Sequence, residues 1–212
     1  MFKNREEAAE MLADKLFKYH KDQDAVIVAI PRGGVPLGKI ISNRLHVPLE
    51  LVLSKKIGHP FHKEFAIGAV TLQDVILAPI AAEVPREYIE KETVNVRDIL
   101  RKRFKRYYGR IEPLKLTGKT VIIVDDGIAT GNTLISCVDL IKKQRPQKIV
   151  VALPVAPKES LEYIKTLPNI DEVICLLSPS NFYAVGQFYE DFSQVSDDEV
   201  IDLIQNAFAS SK

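Results

Sequence analysis

Apolar residues fall in short runs along this chain, separated by stretches with helical spacing. Val121, Ile122, Ile123 and Val124 form a β-branched run with no polar alternation, the signature of a strand buried on both faces of a parallel sheet. Residues 25–30 (Ala-Val-Ile-Val-Ala-Ile) read the same way, and residues 48–53, 148–154 and 172–176 supply further strands. Between them lie helical patterns over about 35–45, 134–144 and 157–166, with a long one over 86–108. Asn4 and Glu7 imitate a capping box ahead of Ala8, Met11, Leu12, Leu16 and Tyr19, predicting a packing helix over roughly 4–20. Ser196 and Glu199 cap a last helix to 208, and residues 66–78 read as a hairpin. Strands alternating with helices predict an α/β fold, a mainly parallel central sheet flanked by helices on both faces.

Composition narrows this little. The 212 residues suit one sizeable domain, and 46% hydrophobic with 27% charged residues is ordinary for a globular protein. A net charge of +1 gives no global field to recruit nucleic acid or an anionic membrane. Cys137 and Cys175 sit apart in apolar stretches, which suits a reducing compartment. With no membrane-length run and no apolar core near the N-terminus, a cytoplasmic address is expected.

The chemistry concentrates after Val124. Asp125 and Asp126 stand where a central parallel strand ends, the edge at which open α/β sheets form their ligand crevice. Adjacent carboxylates there must be solvated, paired with cations, or turned toward a ligand's hydroxyls or metal. Gly127 leads to Ala129, Thr130, Gly131, Asn132 and Thr133, a small-residue turn entering a helix, whose free N–H groups and dipole favour a phosphate. Acids that grip hydroxyls, followed by an anion nest, describe a site for a phosphorylated sugar. A second turn, Pro31-Arg32-Gly33-Gly34, breaks the strand of residues 25–30 and suits a diphosphate, with close backbone approach and a forked cation. Gly118-Lys119-Thr120 is no Walker A loop, since it precedes a strand and Pro113 stands where the first glycine belongs.

Four apolar residues, two acids, a Gly/Ala spacer and Thr-Gly-x-Thr resemble the signature of type I phosphoribosyltransferases. The resemblance implies that Asp125 and Asp126 hold the ribose hydroxyls of phosphoribosyl pyrophosphate (PRPP), and that Ala129 to Thr133 hold its 5′-phosphate. It implies a pyrophosphate loop at Arg32, Gly33 and Gly34, and a basic pair at Lys55 and Lys56, where Lys replaces the family's usual Arg. Arg32, Lys56 and the two acids would be catalytic, with Mg²⁺ carried mainly by PRPP. A small hood is expected from residues 54–66 and 178–195 of a single domain over 1–212. Its Phe182, Tyr183 and Phe188 are candidates to stack on a base or merely to close the core.

The expected activity is transfer of the phosphoribosyl group to an unidentified base or other nucleophile, with a homodimer allowed. A non-catalytic PRPP or nucleotide sensor is the alternative. The basic helix of residues 86–108 keeps RNA binding as a weaker one, and Arg103, Arg106 or Arg110 could fold over a bound phosphate. His59 and His62 lack a third ligand nearby, so no direct metal site is expected.

Overall fold

The computed structural model describes residues 1–63, 65–72, 74–109 and 112–209, with side chains in the last helix placed as far as Gln205. The chain divides into two compact units, Met1–Val52 with Pro113–Lys212, and Leu53–Glu112. The hood segment expected at 54–66 belongs to the second, and that at 178–195 to the first.

In the first unit, five parallel strands form one sheet: β1 (Ala25–Ala29), β2 (Leu49–Leu51), β6 (Thr120–Val124), β7 (Lys148–Val155) and β8 (Glu172–Leu177). Their order is β2-β1-β6-β7-β8. Every residue of β1 and β6 is buried, as the unbroken apolar runs require. The helices are α1 (Arg5–Lys15), α2 (Gly34–Leu45), α4 (Asn132–Lys142), α5 (Lys158–Lys165) and α6 (Asp197–Ala209). From β1 the chain turns outward to β2, and from β6 it continues the other way to β7 and β8. The strand order therefore reverses between β1 and β6 while every strand stays parallel, and the turns leaving these two strands flank the crevice at which ligands of such sheets bind.

The N-terminal helix is shorter than the spacing suggests. Asn4 caps it as expected, its Oδ1 accepting from Glu7 N at 3.0 Å. It ends at Lys15, and Phe17–Tyr19 form a separate 3₁₀ turn. That turn brings the Tyr19 hydroxyl to Glu172 (3.0 Å), which also accepts from Lys148 (2.9 Å) and Lys18 (2.5 Å). The polar cluster at the sheet's edge explains why the helical pattern is interrupted. The strand expected at 48–53 is limited to Leu49–Leu51. At its centre Glu50 is buried, its two oxygens accepting the N–H groups of Leu51 (2.7 Å) and Leu114 (2.6 Å). Burial outweighs these two donors and pushes its carboxyl up to about 7.

The second unit holds an antiparallel sheet of β3 (Lys55–Gly58), β4 (Ala66–Val70) and β5 (Val75–Leu77), in the order β3-β4-β5, with α3 (Arg86–Tyr108) packed on it. The hairpin over 66–78 is present as β4 and β5. Lys55 and Lys56 lie on β3, both exposed. Residues 59–63 and 65 connect β3 to β4, with His59 N–H donating to Phe65 O at 2.8 Å. Along α3, Leu100 and Tyr107 are buried and Phe104 stacks on Tyr108 at 4.7 Å. Arg103 and Arg106 lie on this helix, while Arg110 and Ile111 fall outside the described residues.

Candidate active site

The acid pair leaves β6 at the crevice. Asp125 and Asp126 are partly buried, and the Asp126 N–H donates to Asp125 Oδ1 at 3.0 Å, a local turn that sets the two carboxylates side by side. Burial, then the charge of Asp126, holds the Asp125 carboxyl well above the usual carboxylate range. Burial also raises Asp126, against the opposing pull of Arg5.

Pro31 to Gly34 leave β1 alongside. Ile30 N–H donates to Val124 O at 2.9 Å and Gly34 N–H to Ile30 O at 3.0 Å, binding the turn to the end of β6. The peptide bond between Pro31 and Arg32 is cis. Only glycine fits here: a Cβ on Gly33 would lie 2.1 Å from Asp126 Oδ2, and one on Gly34 would lie 2.5 Å from Val124 O. Arg32 lies 3.6 Å from Asp197 at the start of α6. The predicted pyrophosphate loop and the predicted ribose acids are thus in direct contact.

Residues 129–133 lead into α4. Ile128 N–H donates to Val155 O (3.1 Å) and Ser160 Oγ donates to Ala129 O (2.6 Å), tying the loop to β7 and α5. Gly131 sits at the N-cap with φ of 77°, a left-handed conformation suited to glycine, and no side chain caps the helix. Ala129, Thr130, Asn132 and Thr133 flank it on the loop and in the first helical turn, so the first-turn N–H groups are left available to an anion.

Arg5 was not legible as a site residue. Its Nε and Nη2 donate to Asp126 Oδ2 at 2.9 and 2.8 Å, and its Nη1 to Ser193 O at 2.7 Å. The guanidinium lies 3.9 Å from the centre of the Phe192 ring. Phe192 stacks on Tyr189 at 4.9 Å, Tyr189 meets Phe2 at 5.3 Å, and the Tyr189 hydroxyl donates to Asp126 O at 2.6 Å. Burial and the nearby Asp126 charge raise the Tyr189 phenol, so it remains a protonated donor. The aromatic tail is therefore divided. Tyr189 and Phe192 brace the acid, Phe182 and Phe188 stack on each other at 5.4 Å, and Tyr183 is exposed.

A cavity of about 450 Å³ opens here, lined by Arg5, Arg32, Gly33, Asp126, Val185, Phe192, Gln194 and Val195. Cations, a carboxylate, a close-approach glycine and a mixed polar and apolar far wall are gathered in one space. Lys55 and Lys56, the remaining predicted residues, are on β3 of the second unit. Among the described residues no helix is long and apolar enough to cross a membrane.

Comparison with known proteins agrees with this arrangement. A family model for the phosphoribosyl transferase domain matches residues 2–193. A Mycobacterium tuberculosis (strain H37Rv) protein named "Putative phosphoribosyl transferase" is 33% identical over 214 residues, covering 98% of this chain and 47% of that protein. The chain thus spans about half the length of the curated relatives it matches across most of its sequence. A uracil phosphoribosyltransferase of Ureaplasma urealyticum is 36% identical over 71 residues, 33% of this chain and 34% of that one. Among solved structures, TT1426 from Thermus thermophilus superposes with a TM-score of 0.85 at 35% identity, covering 97% of this chain and 98% of that one. With Asp126 and the Arg32–Gly33 turn on the wall of one cavity, and a family model matching residues 2–193, the chain belongs to the phosphoribosyl transferase domain family.

Proposed function

We propose that the chain binds PRPP with Mg²⁺ and transfers its phosphoribosyl group to a nucleobase-like acceptor. The observation that carries this reading is the contact between the Arg32–Gly33 turn and Asp126 on the wall of one cavity. A sugar whose diol reaches the acids has its C1 side toward a turn suited to pyrophosphate. Its 5′-phosphate is directed to the first turn of α4.

In the proposed reaction the bond from C1 to the pyrophosphate oxygen breaks and its electron pair leaves with pyrophosphate. A bond from C1 to the acceptor's nucleophilic atom forms, and the acceptor loses a proton. Asp125 and Asp126 hold the 2′ and 3′ hydroxyls and lie close to the cationic character that develops on the ring. Arg32 and the amide of Gly33 receive the charge growing on the leaving group, while the Gly34 amide holds the turn to Ile30 O. The work is positioning and electrostatics in a partly dehydrated site.

The residues present suit a hard divalent cation that keeps waters and takes most of its oxygens from PRPP. Asp126 already commits one oxygen to Arg5, and no group of three or more His, Cys, Asp or Glu ligands is assembled among the described residues. Mg²⁺ would supply neutralisation of diphosphate charge. Of the tail aromatics, Phe182, Tyr183 and Phe188 stay as candidates to stack on the acceptor, with Tyr183 offering the more exposed ring.

The test is release of pyrophosphate from PRPP and Mg²⁺ across a panel of purines, pyrimidines and their analogues. Release that depends on one acceptor is expected. PRPP binding with no release under any acceptor would replace the enzyme with a PRPP-sensing protein, and absence of PRPP binding would overturn both.

A further inference from the structure

We propose that Arg5 is a positioning residue of the ribose site, fixing the Asp126 carboxylate so that one of its oxygens is held and the other is left for the sugar. The inference rests on the reading of Asp126 as a ribose-binding acid.

Oδ2 of Asp126 is occupied from two sides. Arg5 donates to it twice, and the Gly33 backbone lies against it so closely that no Cβ fits. Oδ1 accepts no hydrogen bond from the side chain of any other described residue, Arg5 donating only to Oδ2. A hydroxyl entering the cavity therefore finds a single acceptor whose direction is already set.

Arg5 is itself over-determined. It is the first residue of a helix capped by Asn4, its Nη1 is held by Ser193 O, and its plane rests on Phe192. Phe192 stacks on Tyr189, whose hydroxyl returns to the main-chain oxygen of Asp126. The contacts form a closed circuit from Asp126 through Arg5, Phe192 and Tyr189 back to Asp126. Phe2 N–H donates to Phe188 O (2.7 Å) and Glu190 N–H to Phe2 O (2.8 Å), fastening the segment before Arg5 to the tail that carries Tyr189 and Phe192.

Stability alone is a poor reason for this pair. Arg5 and Asp126 are only 12% and 14% exposed, and burying two charges costs about as much as their attraction returns, so packed apolar residues would hold the segments equally well. An arginine spent on orienting a carboxylate at a cavity wall has a use that apolar packing lacks, because its planar fork fixes direction as well as charge.

The test titrates the unaltered chain, Arg5→Gln, Arg5→Lys and Phe192→Leu with ribose 5-phosphate and, separately, with inorganic pyrophosphate, by calorimetry. Arg5→Gln is expected to weaken ribose 5-phosphate binding roughly tenfold or more, the usual effect of losing a charge-assisted hydrogen bond, and to leave pyrophosphate binding unchanged. Arg5→Lys should fall between the two, and Phe192→Leu should give a smaller loss in the same direction. Unaltered ribose 5-phosphate affinity in Arg5→Gln overturns the inference. If that variant does not fold, unaltered affinity in both Arg5→Lys and Phe192→Leu overturns it. Equal loss for pyrophosphate in Arg5→Gln also overturns it, making Arg5 a direct anion ligand. Failure of the unaltered chain to bind ribose 5-phosphate overturns the underlying ribose reading, and the inference with it.

Discussion

Two carboxylates withdrawn from water in the same unit are satisfied in opposite ways. Glu50, on β2, accepts two main-chain N–H groups, one of which joins β2 to the segment entering β6. Asp126, at the end of β6, is met by an arginine from 121 residues away and lines a cavity. Donors from the backbone come with the fold and cannot leave without unfolding part of it. A side-chain donor, with one acceptor oxygen left over beside a cavity, makes a place for a ligand. The difference separates a carboxylate that ties strands together from one that binds, although burial raises both.

The comparison breaks most visibly at Gly33. A Cβ there would sit 2.1 Å from Asp126 Oδ2 and force that side chain out of its contact with Arg5. Gly33→Ala is expected to lower the rate of pyrophosphate release from PRPP by about a hundredfold, as a displacement near 1 Å does in an organised site. Thermal melting should move little, and a large loss of melting temperature would mean that the turn serves the fold.

At Glu50 the effect falls on stability. Its folded carboxyl is raised from 4.5 to about 7. Its contribution is therefore fully present below pH 4.5 and is lost as pH rises through 7, by about 3 kcal/mol in all. Glu50→Gln should remove that slope from denaturant unfolding measured between about pH 4.5 and 8, while leaving one N–H without its acceptor. An unchanged slope would assign the pH dependence elsewhere.

The smallest effect is expected at Tyr189→Phe, which removes one hydrogen bond to the Asp126 main chain and keeps the ring stack. It should cost about 1 kcal/mol of unfolding free energy and weaken PRPP binding less than Arg5→Gln does. A loss matching Arg5→Gln would show that the circuit acts as one unit, sharpening the contrast with Glu50.

What could be read from the chain follows from how local each signal is. The buried runs of β1 and β6 and the passage from Asp125 to Thr133 are continuous in sequence, so elements and candidate site stood in register before any packing was known. Asn4 and Glu7 likewise announced the start of α1. The end of that helix did not, because Tyr19 is drawn into a 3₁₀ turn by Glu172, a partner 153 residues away. Arg5 looked like an ordinary first-turn residue for the same reason: both of its acceptors, Asp126 and Ser193, are far along the chain. Nor does composition tell which rings of the aromatic tail brace the acid and which stack on one another. Lys55 and Lys56 were legible as cations, but not as residues of a strand, since their run has neither alternation nor an apolar core.

The central claim is that Asp125 and Asp126 hold a sugar diol. Calorimetric titration of PRPP with Mg²⁺ into the unaltered chain, Asp125→Asn and Asp126→Asn tests it most directly. The account predicts tight binding that is lost in both variants, with circular dichroism and melting showing each still folded. PRPP affinity unaltered in folded Asp125→Asn and Asp126→Asn would contradict it.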